Sequence, residues 1–572
     1  MRKISLQNKN EWCYMGIVCL AAMAVILPIV VFGIPYGNDL PQHYQFAQTY
    51  YESLLNGDVF PSWSAKENYG YGGIGIRFYP PFAYYVLASA RIFTGSWFDA
   101  SWLTFMFWMI LGCLGVYFWA RWWFSAKESA VAAVFYAVIP YHLSQLYTSS
   151  FMYADFAGAA VLPFCFAFLT RILGRENKSD VLGLAVSYTI LILTHLPTTI
   201  IGSLCLAFYA FTLLNKQNPF RQLFKASTGV SVGLAASAFY WLPMVSEMSW
   251  LNHATDKFSS GHYGYADGFF PTYFFSPEIS GINAVITDVS FAITLLFLTS
   301  AIVCIFYRET KILETDEIKY IFRTVLPLGL LAFLMITPLS LPIWKILPPL
   351  QKIQFPARWL SVATMCGAIV ASAAVHYLIN GNFLRRRKWS YTCIVFASAI
   401  LLFNCVYIWN PLTFTPFPRD DFESDMRSLP AKESFVCWWT IWSKTEAFEI
   451  KDQVIAGNRQ TDIIEWKPEE RTFSVSKGLA TTARISTFYY PHWKATINEN
   501  PVNIEMDENG VMLILLSEEE STVRILFQEP MTIKIASTIS GITWLFVFTM
   551  FLIFQREGFA SNKVRRSYFD NE

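Results

Sequence analysis

Residues 1–36 read MRKISLQNKNEWCYMGIVCLAAMAVILPIVVFGIPY: a basic head, an apolar run from about Trp12 to Phe32, and an exit at Gly33-Ile34-Pro35-Tyr36. About 20 apolar residues cross the hydrocarbon core of a bilayer, so the run is long enough to span. No small-x-small cleavage pattern follows it, and an uncleaved signal anchor is expected. The basic head is the first of seven patches: Arg2 to Lys9, Arg121 to Lys127, Arg171 to Lys178, Lys216 to Lys225, Arg308 to Arg323, Arg385 to Lys388, and Arg556 to Arg566. Together they hold 23 of the 43 Lys and Arg, and they occupy every second gap between apolar runs. Positive charge in short loops stays on the cytoplasmic side. The rhythm predicts a membrane all-α bundle of about twelve transmembrane helices with both termini cytoplasmic. The spans fall near 12–32, 101–120, 128–143, 156–172, 181–195, 197–215, 226–246, 288–307, 324–341, 359–380, 390–409 and 536–555.

Two stretches need a physical argument. Residues 79–93 are apolar but only about 15 long, and a crossing there would move Arg121 and Lys127 outside; an interfacial helix on the outer surface is expected. Residues 181–215 form one apolar run of about 52 Å if helical, too long for one span and short for two. Both flanks are basic, so the crossings are even in number. Pro197 breaks the helix where a turn belongs, giving a tight hairpin with His195 at its outer tip.

Residues 410–535 change character. Alternating stretches such as Arg471 to Lys477 and Val511 to Leu516 are punctuated by turn signals at Gly457-Asn458, Asn498-Glu-Asn-Pro501 and Glu508-Asn-Gly510. Period-two alternation with turns at this spacing predicts an antiparallel β domain, outside by parity. The domains are therefore 1–409, transmembrane with a long first outer loop at 34–100; 410–535, the β domain; and 536–572, a last span with a basic cytoplasmic tail.

The chain is 54% apolar and 15% charged over 572 residues, too apolar for a soluble protein. A net charge of +1, with no RNA-binding motif, sets a nucleic-acid partner aside. Of the ten Cys, only Cys437 lies well inside the outer region, and no CxxC pair exists. That pattern argues against a cysteine-based zinc or redox centre.

With sides assigned, ionisable groups gather on the outer face: Asp39 and His43 just past the first span, then His142, Asp155, His195, Glu247, His253, His262 and Arg358. Such groups are costly near hydrocarbon and tend to mark function. Bland readings stand beside this one. Asp39 with Gln42 three residues on fits a helix N-cap with a capping-box partner. Asp155 fits the cap of the fourth span, His195 a hairpin hydrogen bonder, and Glu247 the end of span seven. Phe60, Trp63, Tyr69, Tyr71 and Tyr79 fit an interfacial aromatic belt as well as sugar or lipid contact. Asp39, Asp155 and His195 offer ligands that a divalent metal takes, with no spacing motif to select it.

Asp39…His43, Phe60-Pro-Ser-Trp63, Gly70-Tyr-Gly72 and Phe78-Tyr-Pro-Pro-Phe82 follow one another in an order that resembles a bacterial family of polytopic membrane proteins. That family bears the label 6-pyruvoyl-tetrahydropterin synthase-related. Thr194-His-Leu-Pro197, Phe239-Tyr-Trp-Leu-Pro243…Glu247 and Gln354-Phe-Pro-Ala-Arg358 extend the match, and Phe488 to Lys494 is similar to the outer β domain of YfhO-type proteins. Both groups resemble the GT-C superfamily of membrane glycosyltransferases. The resemblance implies Asp39 as catalytic base and Asp155 as second acid, although the Arg usual near that acid is absent from Ser149-Ser-Phe-Met-Tyr-Ala-Asp155. It also implies Arg358 against an anionic lipid–sugar head group, with His43, His195 and Glu247 as further substrate contacts.

An inverting transfer needs a carboxylate to take the acceptor's proton, and a polyprenyl-phosphate leaving group needs positive charge; Arg suits the second. Nucleotide sugars are cytoplasmic, whereas the Asp39 loop is outside. The expected activity is transfer of a sugar from a polyprenyl-phosphate donor to an envelope glycan or lipid, in the bacterial cytoplasmic membrane. The rivals are a transporter, a non-catalytic envelope scaffold, and a polysaccharide polymerase. A transporter would place ionisable groups near the bilayer midplane rather than at outer helix ends.

Overall fold

The computed structural model describes residues 9–147, 151–175, 177–214, 217–255, 264–269, 282–309, 316–380 and 415–569. The expected span at 390–409, the basic patch at 385–388 and His262 lie outside them. Among the described residues, eight helices are long and apolar enough to cross a membrane, and a bent pair makes a possible ninth. Eleven of the twelve expected spans fall on helices. Length and composition thus support eight or nine crossings among the described residues, against twelve expected for the whole chain.

The bundle opens with α1 (Lys9–Phe32), whose exit strand β1 (Ile34–Tyr36) leads into α2 (Leu40–Leu55). Gly33 joins them at φ +127°, and a Cβ there would stand 2.5 Å from the Phe417 carbonyl oxygen, so only glycine fits. Next comes α3 (Phe82–Thr94), thirteen residues closed by Gly95 in the left-handed region. At about 1.5 Å per residue it is too short to cross. It buries Ala83, Tyr84, Leu87 and Ala88 and packs on α2 and on α4 (Trp97–Ala120), in keeping with a surface helix.

The next helices are α5 (Ala126–Val138), α6 (Pro140–Tyr147), α7 (Tyr153–Arg175), α8 (Lys178–Thr194) and α9 (Leu196–Leu213). His195 alone separates α8 from α9, in an extended conformation, with Pro197 in the first turn of α9 where no N–H is needed. This is the hairpin that the proline predicts. Helices α10 (Pro219–Ala236) and α11 (Ala238–Glu247) belong to the pair bent by 71°. Later helices cover Ile282–Glu309, Asp316–Met335, Leu360–Asn380 and Met531–Phe569.

The segment 415–450 does not join the β domain's sheets. Strand β2 (Thr415–Phe417) pairs antiparallel with β1. Beyond it, residues 426–435 are held by Gln42, Gln45 and Gln48, which are spaced to share one face of α2. Gln48 Nε2 donates to the Met426 carbonyl at 2.6 Å, and Gln45 Nε2 to those of Leu429 and Lys432 at 3.2 and 3.1 Å. The Phe435 N–H donates to Gln42 Oε1 at 2.6 Å. Glu423 accepts from the Phe98 N–H at 2.8 Å, beside the N-terminus of α4, where a carboxylate is favourable.

The β domain proper is a pair of antiparallel sheets. Its strands are β3 (Val454–Ile455), β4 (Thr461–Lys467), β5 (Glu470–Val475), β6 (Thr481–Phe488), β7 (Trp493–Ile497), β8 (Asn500–Val502), β9 (Glu505–Met506), β10 (Val511–Leu516) and β11 (Ser521–Phe527). One sheet runs β3-β6-β10-β9 and the other β4-β5-β11-β7-β8. Asn498 and Glu499 both adopt positive φ in the two-residue turn between β7 and β8, the geometry such hairpins demand. Phe473, Val475, Ile485, Ile514 and Val523 are buried in the core, and Trp63, Tyr71, Ile74 and Phe78 of the first loop join them. Trp63 stands edge-on to Trp493 at 5.4 Å. Of the expected aromatic belt, Phe60 and Tyr69 are exposed, whereas Trp63 and Tyr71 are core residues.

A buried ion cluster completes this junction. Arg77, from the first loop, donates to Glu247 at the end of α11 (Nε–Oε2 2.6 Å) and to Glu529 after β11 (Nη2–Oε2 2.7 Å). Glu247 also accepts from Tyr490 Oη at 2.6 Å and contacts His492 Nε2 at 3.0 Å. Arg77 and Glu247 are almost fully buried. Removing one partner of a buried pair leaves a charge uncompensated, which costs about 3–5 kcal/mol. Thermal unfolding in detergent tests this: Arg77→Met lowers the midpoint markedly, and Arg77→Met with Glu247→Leu loses less than the two single losses added. An unchanged midpoint in Arg77→Met would show that the cluster contributes no stability.

Sidedness has its own test. In a cysteine-depleted background, an impermeant thiol reagent on intact cells labels Lys66→Cys and not Lys127→Cys. The reverse pattern overturns the orientation.

Candidate active site

Asp39 holds the N-cap position of α2, yet its side chain makes no capping hydrogen bond. The capping-box partner is engaged elsewhere, since Gln42 accepts from Phe435. The Asp39 carboxylate has no hydrogen bond among the described residues and is half-buried. Burial pushes its pKa up to about 6, and Arg358 opposes part of that shift. Of the two readings of Asp39, the geometry supplies the position of a cap without the bond of one.

Arg358 enters in the short helical turn Pro356–Trp359, just before Leu360–Asn380. Its Nη1 donates to the Ile353 carbonyl at 2.5 Å, and its guanidinium lies 5.1 Å from the centroid of the Phe355 ring. Its Nε has no partner, and among the described residues it forms no ion pair. A half-buried guanidinium with an unused donor is a ready anion contact.

Asp155 is fully buried near the start of α7, with both oxygens engaged. Oδ1 accepts from Thr198 Oγ1 at 3.0 Å and stands 3.2 Å from His195 Nδ1; Oδ2 accepts from Tyr141 Oη at 3.3 Å. His195 Nδ1 is also 2.8 Å from Thr198 Oγ1. The extended residue between α8 and α9 thus presents its ring to the acid on α7. His43 Nδ1 lies 2.6 Å from Tyr84 Oη. Burial, with a smaller contribution from His195, pushes the His43 pKa down to about 3, so the ring is neutral.

One ring ties the set together. Burial pushes the Tyr79 phenol up; Arg358 opposes this, and Asp39 and Asp155 add to it. Tyr79 also meets His43 edge-on at 5.9 Å. The structure therefore brings Asp39, Asp155, His195, His43 and Arg358 into one electrostatic neighbourhood. Glu247, expected as a substrate contact, is not in it: both its oxygens serve the Arg77 cluster.

Sequence reasoning does not single out Tyr84, Tyr141 and Thr198, which hold His43 and Asp155. Thr198 sits three residues after His195 on a helix, a spacing that could have flagged it. Tyr84 and Tyr141 carry no such local signal.

Among the described residues, no three His, Cys, Asp or Glu side chains are grouped so as to hold an ion, and Asp39, Asp155 and His195 do not form such a group. Asp155 is already engaged by Thr198, His195 and Tyr141.

No protein of curated function matches the sequence. Among solved structures, the apo oligosaccharyltransferase of Archaeoglobus fulgidus aligns at 15% identity and a TM-score of 0.42, over 74% of this chain and 57% of that one. ArnT of Cupriavidus metallidurans, bound to undecaprenyl phosphate, aligns at 13% identity and 0.38, over 74% of each chain. The mycobacterial arabinofuranosyltransferase AftD aligns at 13% identity and 0.42, over 69% of this chain and 26% of that one. Likeness at this level is too loose to carry an activity across. The sequence itself matches a described family, "6-pyruvoyl-tetrahydropterin synthase related domain; membrane protein", over residues 76–412. That match covers more than half of the chain, and the protein belongs to this family of membrane proteins.

Proposed function

We propose that the protein is a GT-C-type glycosyltransferase. It moves a sugar from a polyprenyl-phosphate donor to an envelope glycan or lipid on the outer face of the bacterial cytoplasmic membrane, with inversion. One observation carries the reading: an unbonded, half-buried carboxylate, Asp39, lies within electrostatic reach of a guanidinium, Arg358, that also lacks an ion-pair partner among the described residues. A structural pair would have closed on itself. The charge of Arg358 acts on Asp39, yet neither group is closed into an ion pair among the described residues, which suits a base and an anion contact for a guest.

The chemistry follows from the two groups. The acceptor hydroxyl oxygen attacks the anomeric carbon, and the bond from that carbon to the phosphate oxygen breaks. The hydroxyl proton passes to Asp39, whose raised pKa makes it a better base than a solvated carboxylate while keeping it mostly ionised at pH 7. Arg358 takes up the charge left on the phosphate. Asp155 is too well bonded to take a proton readily. Its role is to fix the His195 ring and to add negative charge opposite a cationic sugar centre.

Asp39→Asn separates base from cap. Asn caps about as well as Asp, so the variant accumulates normally in the membrane. It has no basic carboxylate, and turnover falls by about 10²- to 10⁴-fold in a purified donor-plus-acceptor assay. Wild-type turnover at matched expression would remove Asp39 from the mechanism.

The pH profile is a second test. Asp39 works as the carboxylate, so activity is lost as pH falls through its pKa. The wild-type kcat/KM is therefore half-maximal near pH 6, levels off about one unit above it, and falls to about a tenth of its plateau one unit below. A profile flat from pH 5 to 8 would contradict the assignment.

A further inference from the structure

The segment after the Gln42 contact reaches the site itself. Between Ser434 and Ser443 the chain crosses from α2 to the loop that follows α11. Asn252 Nδ2 donates to the Val436 carbonyl at 3.1 Å, and the Asn252 N–H to the Trp439 carbonyl at 3.0 Å. Leu251 and Thr440 form an antiparallel bridge. With Phe435 held by Gln42, this strap is fixed at both ends.

The strap carries Cys437, on which the charge of Asp39 acts, and Trp438. Burial pushes the Cys437 thiol up to about 12, and the charge of Asp39 adds to that shift. The Trp438 ring stacks on His253, with centroids 5.0 Å apart and planes at 26°, and stands edge-on to Tyr79 at 5.4 Å. Tyr79 is the ring on which Asp39, Asp155 and Arg358 all act. Neither Trp438 nor His253 is fully buried. His253 is neutral, because burial first, then Lys352 and Arg358, lower its pKa.

A loose donor sits on α2 one turn before Phe46, whose ring lies 6.2 Å from that of Trp438 and 5.6 Å from that of Tyr79. Gln42 is 4% exposed, and its Nε2 has no partner. Its Oε1 receives the Phe435 N–H, which fixes the amide orientation and leaves the NH2 end unused. Gln42 lies three residues after Asp39, on the same face of the α2 N-terminus.

We infer that Trp438, Tyr79 and His253, with the Gln42 amide, form the acceptor subsite, and that the acceptor is a saccharide whose pyranose ring lays its C–H face against the Trp438 indole. The inference rests on the proposed transfer and names its acceptor class. The face of an aromatic ring carries the negative lobe of its quadrupole, which suits polarised C–H groups. An apolar wall with one or two directed polar groups is how sites orient neutral ligands. The wall is neutral and adjoins Asp39, whereas the charge suited to phosphate belongs to Arg358. A lipid-chain or small hydroxyl acceptor has no flat C–H face to present to stacked rings.

Protection of Cys437 from alkylation reads occupancy without turnover. Right-side-out membrane vesicles are treated with an impermeant maleimide, without donor, in the presence of the methyl pyranosides of glucose, galactose, mannose and rhamnose, with glycerol as control. At least one pyranoside slows Cys437 alkylation roughly 2- to 10-fold beyond glycerol, the range of one aromatic contact. Trp438→Phe keeps that protection, and Trp438→Ala loses it. Val436→Cys in a Cys437→Ser background is a second, more exposed probe, since Val436 is 40% exposed. If no pyranoside protects either thiol beyond glycerol, or if Trp438→Ala leaves protection intact, the subsite is wrong. Protection alongside an Asp39→Asn variant with wild-type turnover would keep the subsite and remove the base, so the two readings fail separately.

Discussion

A guanidinium shared between two carboxylates, Arg77 between Glu247 and Glu529, sets three distant parts of the chain against one another. Each charge is taken out of water, and the arrangement stands only because every member is bonded. Tyr490 and His492 fill the acceptor capacity that Arg77 leaves on Glu247. The cluster thus closes the seam between the first loop, the end of the bent helix pair and the β domain. The same seam is packed by Trp63, Tyr71, Ile74 and Phe78 among the β domain's own core residues.

The site that this cluster fixes lies a few residues away. Arg77 precedes Tyr79 by two residues, and Glu247 precedes Leu251–His253 by four. Both walls around Asp39 therefore depend on one buried ion cluster. The glutamine stripe of α2 supplies the third restraint, holding residues 426–435 by backbone contacts that carry no charge. Within this frame Asp39 and Arg358 stay unpaired. A site assembled from rigid neighbours can hold such groups in readiness, at a cost in stability that the surrounding bonds offset.

The long apolar helices are legible in the sequence because apolar length is a local property of the chain. Pro197 announces its hairpin, and Asn498-Glu499 its turn, by backbone restriction alone. The ion cluster is not legible. Arg77 reads as an ordinary loop charge and Glu247 as a span end, because partners 170 residues apart leave no mark on either neighbourhood. Asp39 stays ambiguous for a related reason. Its capping-box partner is present at the right spacing, and only the distant Phe435 N–H, which takes up Gln42, tells the two readings apart. Polarity alone assigns residues 415–450 to the β domain. Of these, residues 426–435 answer to α2, whose polar stripe is visible without its partner, whereas Ala447 and Phe448 pack with the β domain's core.

On the proposed function, Arg358 is left unpaired for a lipid phosphate. Native mass spectrometry of the purified protein with undecaprenyl phosphate and undecaprenol measures this directly. The phosphate is expected to be retained and the neutral alcohol not, and Arg358→Gln abolishes the difference while the protein stays folded. Equal retention of phosphate and alcohol, or retention of the phosphate by folded Arg358→Gln at the wild-type level, would contradict it.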